Sequence, residues 1–202
     1  MIAIIDYGMG NLHSVEKAFI KLGSEVIVTS DAGVIMGADK VVLPGVGAFG
    51  DCMKNLQEYH LVDVIRDVIG RGVPFLGICL GEQLLFEGSE EDPGVAGLGV
   101  FSGMVRKINA PRLKIPHMGW NSLCYPKESL LFNGLPESAY VYFVHSYHAV
   151  PLDRSIIAAV TDYGEALTAA VSKGNVHAVQ FHPEKSGEVG LKILQNFKEL
   201  AS

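Results

Sequence analysis

The chain has 202 residues, 49% of them hydrophobic and 19% charged, and a formal net charge of −6. A chain of this length holds one domain with a sizeable core and needs no disulfide or metal to fold. Its acidic balance, without any Lys/Arg cluster, disfavours nucleic-acid and anionic-membrane partners, and its apolar stretches fall well short of the ~20 residues of a membrane span.

Residues 1–6 read as a short buried strand, with no basic segment of the kind that opens a secretory signal. Leu12, Val15, Phe19 and Leu22 then recur at helical spacing, with Gly23 at the expected helix end. Residues 25–29 and 40–43 read as strands. A helix follows through Leu61, Ile65, Val68 and Ile69 to Gly70, and residues 73–78 form an apolar strand running into Cys79. This alternation predicts a parallel sheet with helices on both faces. Further on, residues 100–108, 140–147, 156–161, 167–172 and 176–181 read as strands with few helices between them. Lys173-Gly174-Asn175 is the expected hairpin turn, and a last helix runs from about residue 187 to 200 with Ser186 as its N-cap. No repeat or linker divides the chain. The expected fold is a single α/β domain over residues 1–202, a mostly parallel central sheet with helices on both faces and antiparallel strands added late.

Gly77-Ile78-Cys79-Leu80-Gly81 directly follows an apolar strand. Its spacing is that of a nucleophile elbow with Cys in the Ser position. The flanking glycines permit a tight strand-to-helix turn, which lifts the thiol to the carboxyl end of the sheet and to a helix N-terminus that favours thiolate. On the elbow alone, a buried structural cysteine fits equally well. Cys52 and Cys124 lack flanking glycines and read as structural. Three cysteines at wide spacing make neither a disulfide framework nor a zinc knuckle, and point to a reducing, cytoplasmic setting.

A thiol nucleophile needs a base. Among seven histidines His182 stands out, because Pro183 holds it extended and Glu184, two residues on, points the same way to orient it. His182-Pro183-Glu184 by itself reads at least as well as a surface turn with an ion pair. Beside the elbow, a Cys79–His182–Glu184 triad is the better reading. Pro44-Gly45-Val46-Gly47, at the end of a neighbouring strand, is placed to turn backbone N–H groups, with that of Leu80, toward a developing oxyanion. Alone it is an ordinary glycine-rich turn. His145 and His148, an odd number of residues apart on one strand, face opposite sides and make a poor metal pair. Neither a dinucleotide fingerprint nor a Walker sequence is present, so no metal and no cofactor is expected.

Gly77-Ile78-Cys79-Leu80-Gly81-Glu82-Gln83, with His182-Pro183-Glu184 some hundred residues on, resembles the triad-type (class I) glutamine amidotransferases. Asp6-Tyr7-Gly8-Met9-Gly10-Asn11-Leu12, Leu43-Pro44-Gly45-Val46-Gly47-Ala48-Phe49, His117-Met118-Gly119-Trp120-Asn121 and Tyr142-Phe143-Val144-His145-Ser146-Tyr147 extend the resemblance over essentially the whole chain. One departure is Glu82, where the family more often has Met. The resemblance implies that Cys79 attacks the side-chain amide of L-glutamine while His182 acts as base and then acid, oriented by Glu184. It implies that Gln83, Ser146 and Tyr147 hold the substrate and that Gly45, Val46, Gly47 and Leu80 form the oxyanion hole.

A lone glutaminase domain implies a partner that takes up ammonia before water protonates it. By resemblance that partner is a (β/α)8-barrel cyclase subunit in a heterodimer. Trp120, Tyr142 and Lys185 are candidates for the contact surface, and each alone is equally an ordinary core or surface residue. The glycines beside Val46 further predict an oxyanion turn that is misformed at rest and completed by the partner. Two other readings stay open. Another amidase or Cys peptidase on this fold keeps the elbow and His182 without needing Gln83, and a non-catalytic scaffold needs none of the triad.

Overall fold

In the computed structural model, which describes residues 1–201, β1 (Ile2–Ile5) is apolar and buried at every position. A strand covered on both faces belongs in the middle of a parallel sheet. The first half of the chain continues with α1 (Leu12–Lys21), β2 (Val26–Thr29), α2 (Ala32–Met36), β3 (Lys40–Gly45), α3 (Phe49–Glu58), α4 (Val62–Gly70), β4 (Phe75–Cys79) and the one-turn α5 (Leu80–Gln83). The second half holds β5 (Gly88–Ser89), β6 (Gly103–Lys107), β7 (His117–Ser122), β8 (Tyr140–His145), β9 (Tyr147–Pro151), β10 (Ile157–Asp162), β11 (Ala166–Lys173), β12 (Val176–Val179) and α6 (Gly187–Glu199).

The main sheet has the order β10-β11-β12-β4-β3-β1-β2. It is parallel from β12 across to β2, with β11 and β10 added antiparallel. Strand alternation sends Ala3, Ile5, Val41, Leu43 and Phe75 into one core with Ile35, Met53, Leu56, Ile65 and Val68 of α2, α3 and α4. Ile2, Ile4, Val42, Leu76 and Ile78 go to the other face, against Val15 and Phe19 of α1 and Ile193 and Phe197 of α6. Two small sheets, β5-β6-β9 and the β7-β8 pair, stand beside the main one.

The structure departs from the sequence expectations at identifiable places. The region ending at Gly70 holds two helices, because the chain turns at His60, whose φ is 56°. In α3 the buried Phe49, Cys52, Met53 and Leu56 recur at helical spacing, a signal the sequence reading did not use. The aromatic run over residues 140–147 is one strand by pattern but two in space. The chain leaves β8 at Ser146 and enters a different sheet as β9. Ser186 does precede α6, yet its Oγ donates to the His182 carbonyl (2.6 Å) and accepts from the Tyr142 N–H (3.0 Å), so it makes no cap.

This topology positions the site. Gly45 of β3 lies opposite Cys79 of β4, and Val179 of β12 lies opposite Ile78. Three carboxyl strand ends therefore meet at the thiol.

Candidate active site

Cys79 adopts φ 56° and ψ −113°, a conformation L-residues rarely hold and one that stores roughly 1–3 kcal/mol of strain. Its flanking glycines make this possible. A Cβ on Gly81 would come 1.9 Å from the Leu43 carbonyl oxygen, and one on Gly77 would come 2.7 Å from that of Gly81. Gly81 lets the elbow sit against β3, and Gly77 lets the turn close on itself. The helix that follows is one turn long, so the thiol meets the open N–H groups of a single turn and not the dipole of a long helix.

His182 and Cys79 face the same cavity, and His182 Nδ1 lies 2.8 Å from Glu184 Oε1. Both side chains are buried, at 3% and 1% exposure. Glu184 does not arrive there by strand alternation as the sequence suggested, because residues Pro183–Lys185 form a 3-10 turn that folds the carboxylate back to the ring. Burial alone pushes the His182 pKa down. Its interactions with Cys79 and Glu184 outweigh this and hold the pKa up at about 10. The site thus favours a protonated ring beside the sulfur.

Gly45 forms the last rung between β3 and β4, so its backbone belongs to the ladder and only Val46 and Gly47 extend beyond it. Gly47 has φ +99°, where glycine is the natural residue. The Val46 carbonyl accepts from Cys52 Sγ at 3.5 Å, and Cys52 in turn accepts from the Tyr7 hydroxyl at 3.6 Å. Cys52 therefore supports the turn from beneath, with burial pushing its thiol up to about 11. Cys124 is exposed, on a bridge to Val160 away from the site.

A cavity of about 310 Å³ opens over the thiol. It is lined by Cys79, Leu80, Gln83, Val46, Gly47, Ser146, Tyr147 and His182, together with Glu91, Pro116, Val144 and His145, which sequence reasoning did not place there. Gly45 and Glu184 stand behind its wall. Gln83 donates through Nε2 to the Tyr147 carbonyl (3.1 Å) and to Gln180 Oε1 (2.8 Å). The same carbonyl lies 2.8 Å from His145 Nδ1, and His145 Nε2 lies 2.9 Å from His117 Nδ1. Gln180 and the two histidines were missed. For Gln180 the available signal was its place two residues before His182. Among the described residues, no group of three His, Cys, Asp or Glu is placed to hold a metal ion.

The family model for glutamine amidotransferase class-I matches residues 3–200. This chain belongs to the class-I glutamine amidotransferase family. The amidotransferase is 53% identical over 199 residues to the imidazole glycerol phosphate synthase subunit HisH of Moorella thermoacetica, covering 98% of this chain and 94% of that one. It is 55% identical to the HisH subunit of Aquifex aeolicus, at 98% and 96% coverage. Two solved structures share the fold. One, a glutamine amidotransferase, has a TM-score of 0.76 at 21% identity, covering 98% of this chain and all of that one. The other, the glutaminase domain of Trypanosoma brucei CTPS with bound acivicin, has a TM-score of 0.69 at 19% identity, at 100% and 94% coverage.

The three contact candidates of the amidotransferase lie near one another. Trp120 is opposite Tyr142 in the β7–β8 register, with ring centroids 6.3 Å apart at 70°. The same outer face carries Met118 and Tyr140, and Met118, Trp120 and Tyr140 are 61%, 57% and 56% exposed. The His182 N–H donates to the Tyr142 carbonyl (3.0 Å), and the Lys185 N–H donates to that of His182 (3.0 Å). This apolar face is therefore tied by backbone bonds to the segment bearing the base.

Proposed function

We propose that this chain is the glutaminase subunit of an imidazole glycerol phosphate synthase, releasing ammonia from L-glutamine for histidine biosynthesis. The observation that carries the reading is the buried His182–Glu184 contact at 2.8 Å behind a thiol held on a strained elbow. With the Cys79 proton held on His182, the sulfur attacks the γ-carboxamide carbon. The tetrahedral oxyanion collapses as the ring returns the proton to the departing nitrogen, leaving a γ-glutamyl thioester and ammonia. Water, deprotonated by His182, then hydrolyses the thioester to glutamate and restores the thiol. Glu184 keeps Nδ1 protonated and Nε2 facing the sulfur. Val46, Gly47 and Leu80 are the assigned oxyanion donors, with Gly45 anchoring their turn. Gln83, Ser146 and Tyr147 line the place where the substrate's α-substituents rest.

Ammonia set free in water is protonated and loses its nucleophilicity, so the product must pass directly to a partner. A (β/α)8-barrel cyclase subunit, forming a heterodimer across the Trp120, Tyr142 and Lys185 face, fits the exposed aromatic patch. The reading includes an oxyanion turn that the partner completes, and it places the subunit in the cytoplasm. The 53–55% identity to HisH subunits supports the pathway assignment. Acid-quenching the two-subunit complex during turnover of glutamine, followed by peptide mass analysis, tests the chemistry. A γ-glutamyl adduct on the Cys79 peptide, lost in Cys79→Ala, is the expected result; glutamate release undiminished by that substitution would refute the role of Cys79.

A further inference from the structure

Two side-chain amides, those of Gln83 and Gln180, connect the Tyr147 carbonyl to the Cys79 sulfur, and the direction of each is dictated by the one before. The carbonyl only accepts, so Gln83 must turn its Nε2 toward it, at 3.1 Å. The second N–H of that nitrogen reaches Gln180 Oε1 at 2.8 Å. Gln180, fully buried, is thereby left with Nε2 facing Cys79 Sγ, at 3.8 Å. Its backbone N–H is fixed by the Ala169 carbonyl of β11 at 2.9 Å. With both Gln83 N–H groups engaged, the atom Gln83 offers to the cavity is Oε1, an acceptor, suited to a donor on the substrate. An amide at position 180 in the opposite orientation would set two donors against each other at Gln83 and an acceptor against the sulfur.

We propose that Gln180 is a positioning residue of the glutaminase site: its N–H, aimed through Gln83 by the Tyr147 carbonyl, holds the Cys79 sulfur toward His182 and stabilises its thiolate. This rests on the function proposed above. When the proton passes from sulfur to His182, the electron pair stays on sulfur and the Gln180 N–H donates to it. As the S–C bond forms the sulfur charge disappears and that hydrogen bond weakens. It is restored when the thioester is hydrolysed. Gln180 neither gains nor loses a proton, and it exerts its effect through Cys79 and Gln83.

The test pairs two substitutions with two readouts. Gln180→Leu removes the donor, and Gln180→Glu keeps the shape but sets a carboxyl oxygen against the sulfur. The pH profile of Cys79 alkylation by iodoacetamide is measured on the full chain, and kcat and KM for glutamine on its complex with the cyclase subunit. The alkylation midpoint is expected to move up by about one pH unit in Gln180→Leu and further in Gln180→Glu. The kcat is expected to fall about ten-fold or more, with KM within about three-fold. Folded variants that keep the parent's midpoint and kcat would overturn the proposal. So would a rise in KM alone, which would make Gln180 a support for Gln83 only. Should the parent complex release no glutamate while the alkylation midpoint still shifts, the glutaminase reading fails and the Gln180–sulfur contact stands.

Discussion

Glu82 follows Cys79 by three residues, is fully buried, and has no hydrogen-bond partner for either carboxyl oxygen. Burial pushes its pKa well above the ordinary 4.5, favouring the neutral acid in the folded protein. The unfolded chain ionises this group above about pH 4.5 and the fold does not, so it weakens the fold increasingly as pH rises. The loss reaches ~1.4 kcal/mol per pH unit until the folded carboxyl also ionises. Glu82→Met, the residue more usual at this place in the family, is predicted to stabilise the chain by about 1–3 kcal/mol at pH 7, and by more at pH 8 than at pH 5. Urea unfolding at the two pH values measures this. An unchanged or reduced midpoint at both would show that the carboxyl has partners in solution. The sequence marked this position as a departure, but its burial became visible only once the elbow was packed against its neighbours.

At the level of elements, the β7–β8 hairpin has two faces with different work. On the inner face the cross-strand pair His117 and His145 is joined at 2.9 Å, and His117 stacks on Phe143 at 4.7 Å and on Tyr163 at 4.1 Å. The Tyr147 carbonyl requires a proton on His145 Nδ1, so His145 Nε2 accepts and His117 Nδ1 donates. Burial holds His117 down at about 4 and His145 at about 3. Imidazole 15N spectra at pH 6 are therefore predicted to show both rings neutral and protonated on Nδ1. An imidazolium signal from either would contradict the arrangement. The outer face is the proposed docking surface. Trp120→Ala is predicted to weaken association with the cyclase subunit by about 10–100-fold while leaving thermal stability nearly unchanged, since the indole is 57% exposed. Titration of the two purified subunits measures it, and an affinity within about two-fold of the parent would remove Trp120 from the interface. The hairpin was not legible as such. Gly119, at φ +126°, interrupts the alternation of β7, and the aromatic run of β8 continues past Ser146 without a turn signal. That Trp120 and Tyr142 share the outer face needs the register to be seen.

Across the whole molecule, the parallel half was readable because strands buried on both faces produce continuous apolar runs separated by helical spacing. Residues 73–78 and the Gly-flanked Cys79 are the clearest case, and the strand and elbow fall close to those positions. Periodicity says nothing about which strands become neighbours. That β12 pairs with β4, about a hundred residues earlier, is what brings His182 and Gln180 to the thiol. From sequence that meeting rested on chemical complementarity and on the family resemblance. On the proposed reading, these converging strand ends form a glutaminase whose product serves a second subunit. Glutamate release from glutamine, measured for the chain alone and with its cyclase subunit and that subunit's ligand, tests it most directly. Slow release alone, a large increase in the complex, and none in either state for Cys79→Ala are the expected results. Equal release with and without the partner would contradict the proposed coupling, and no release in the complex would contradict the assignment itself.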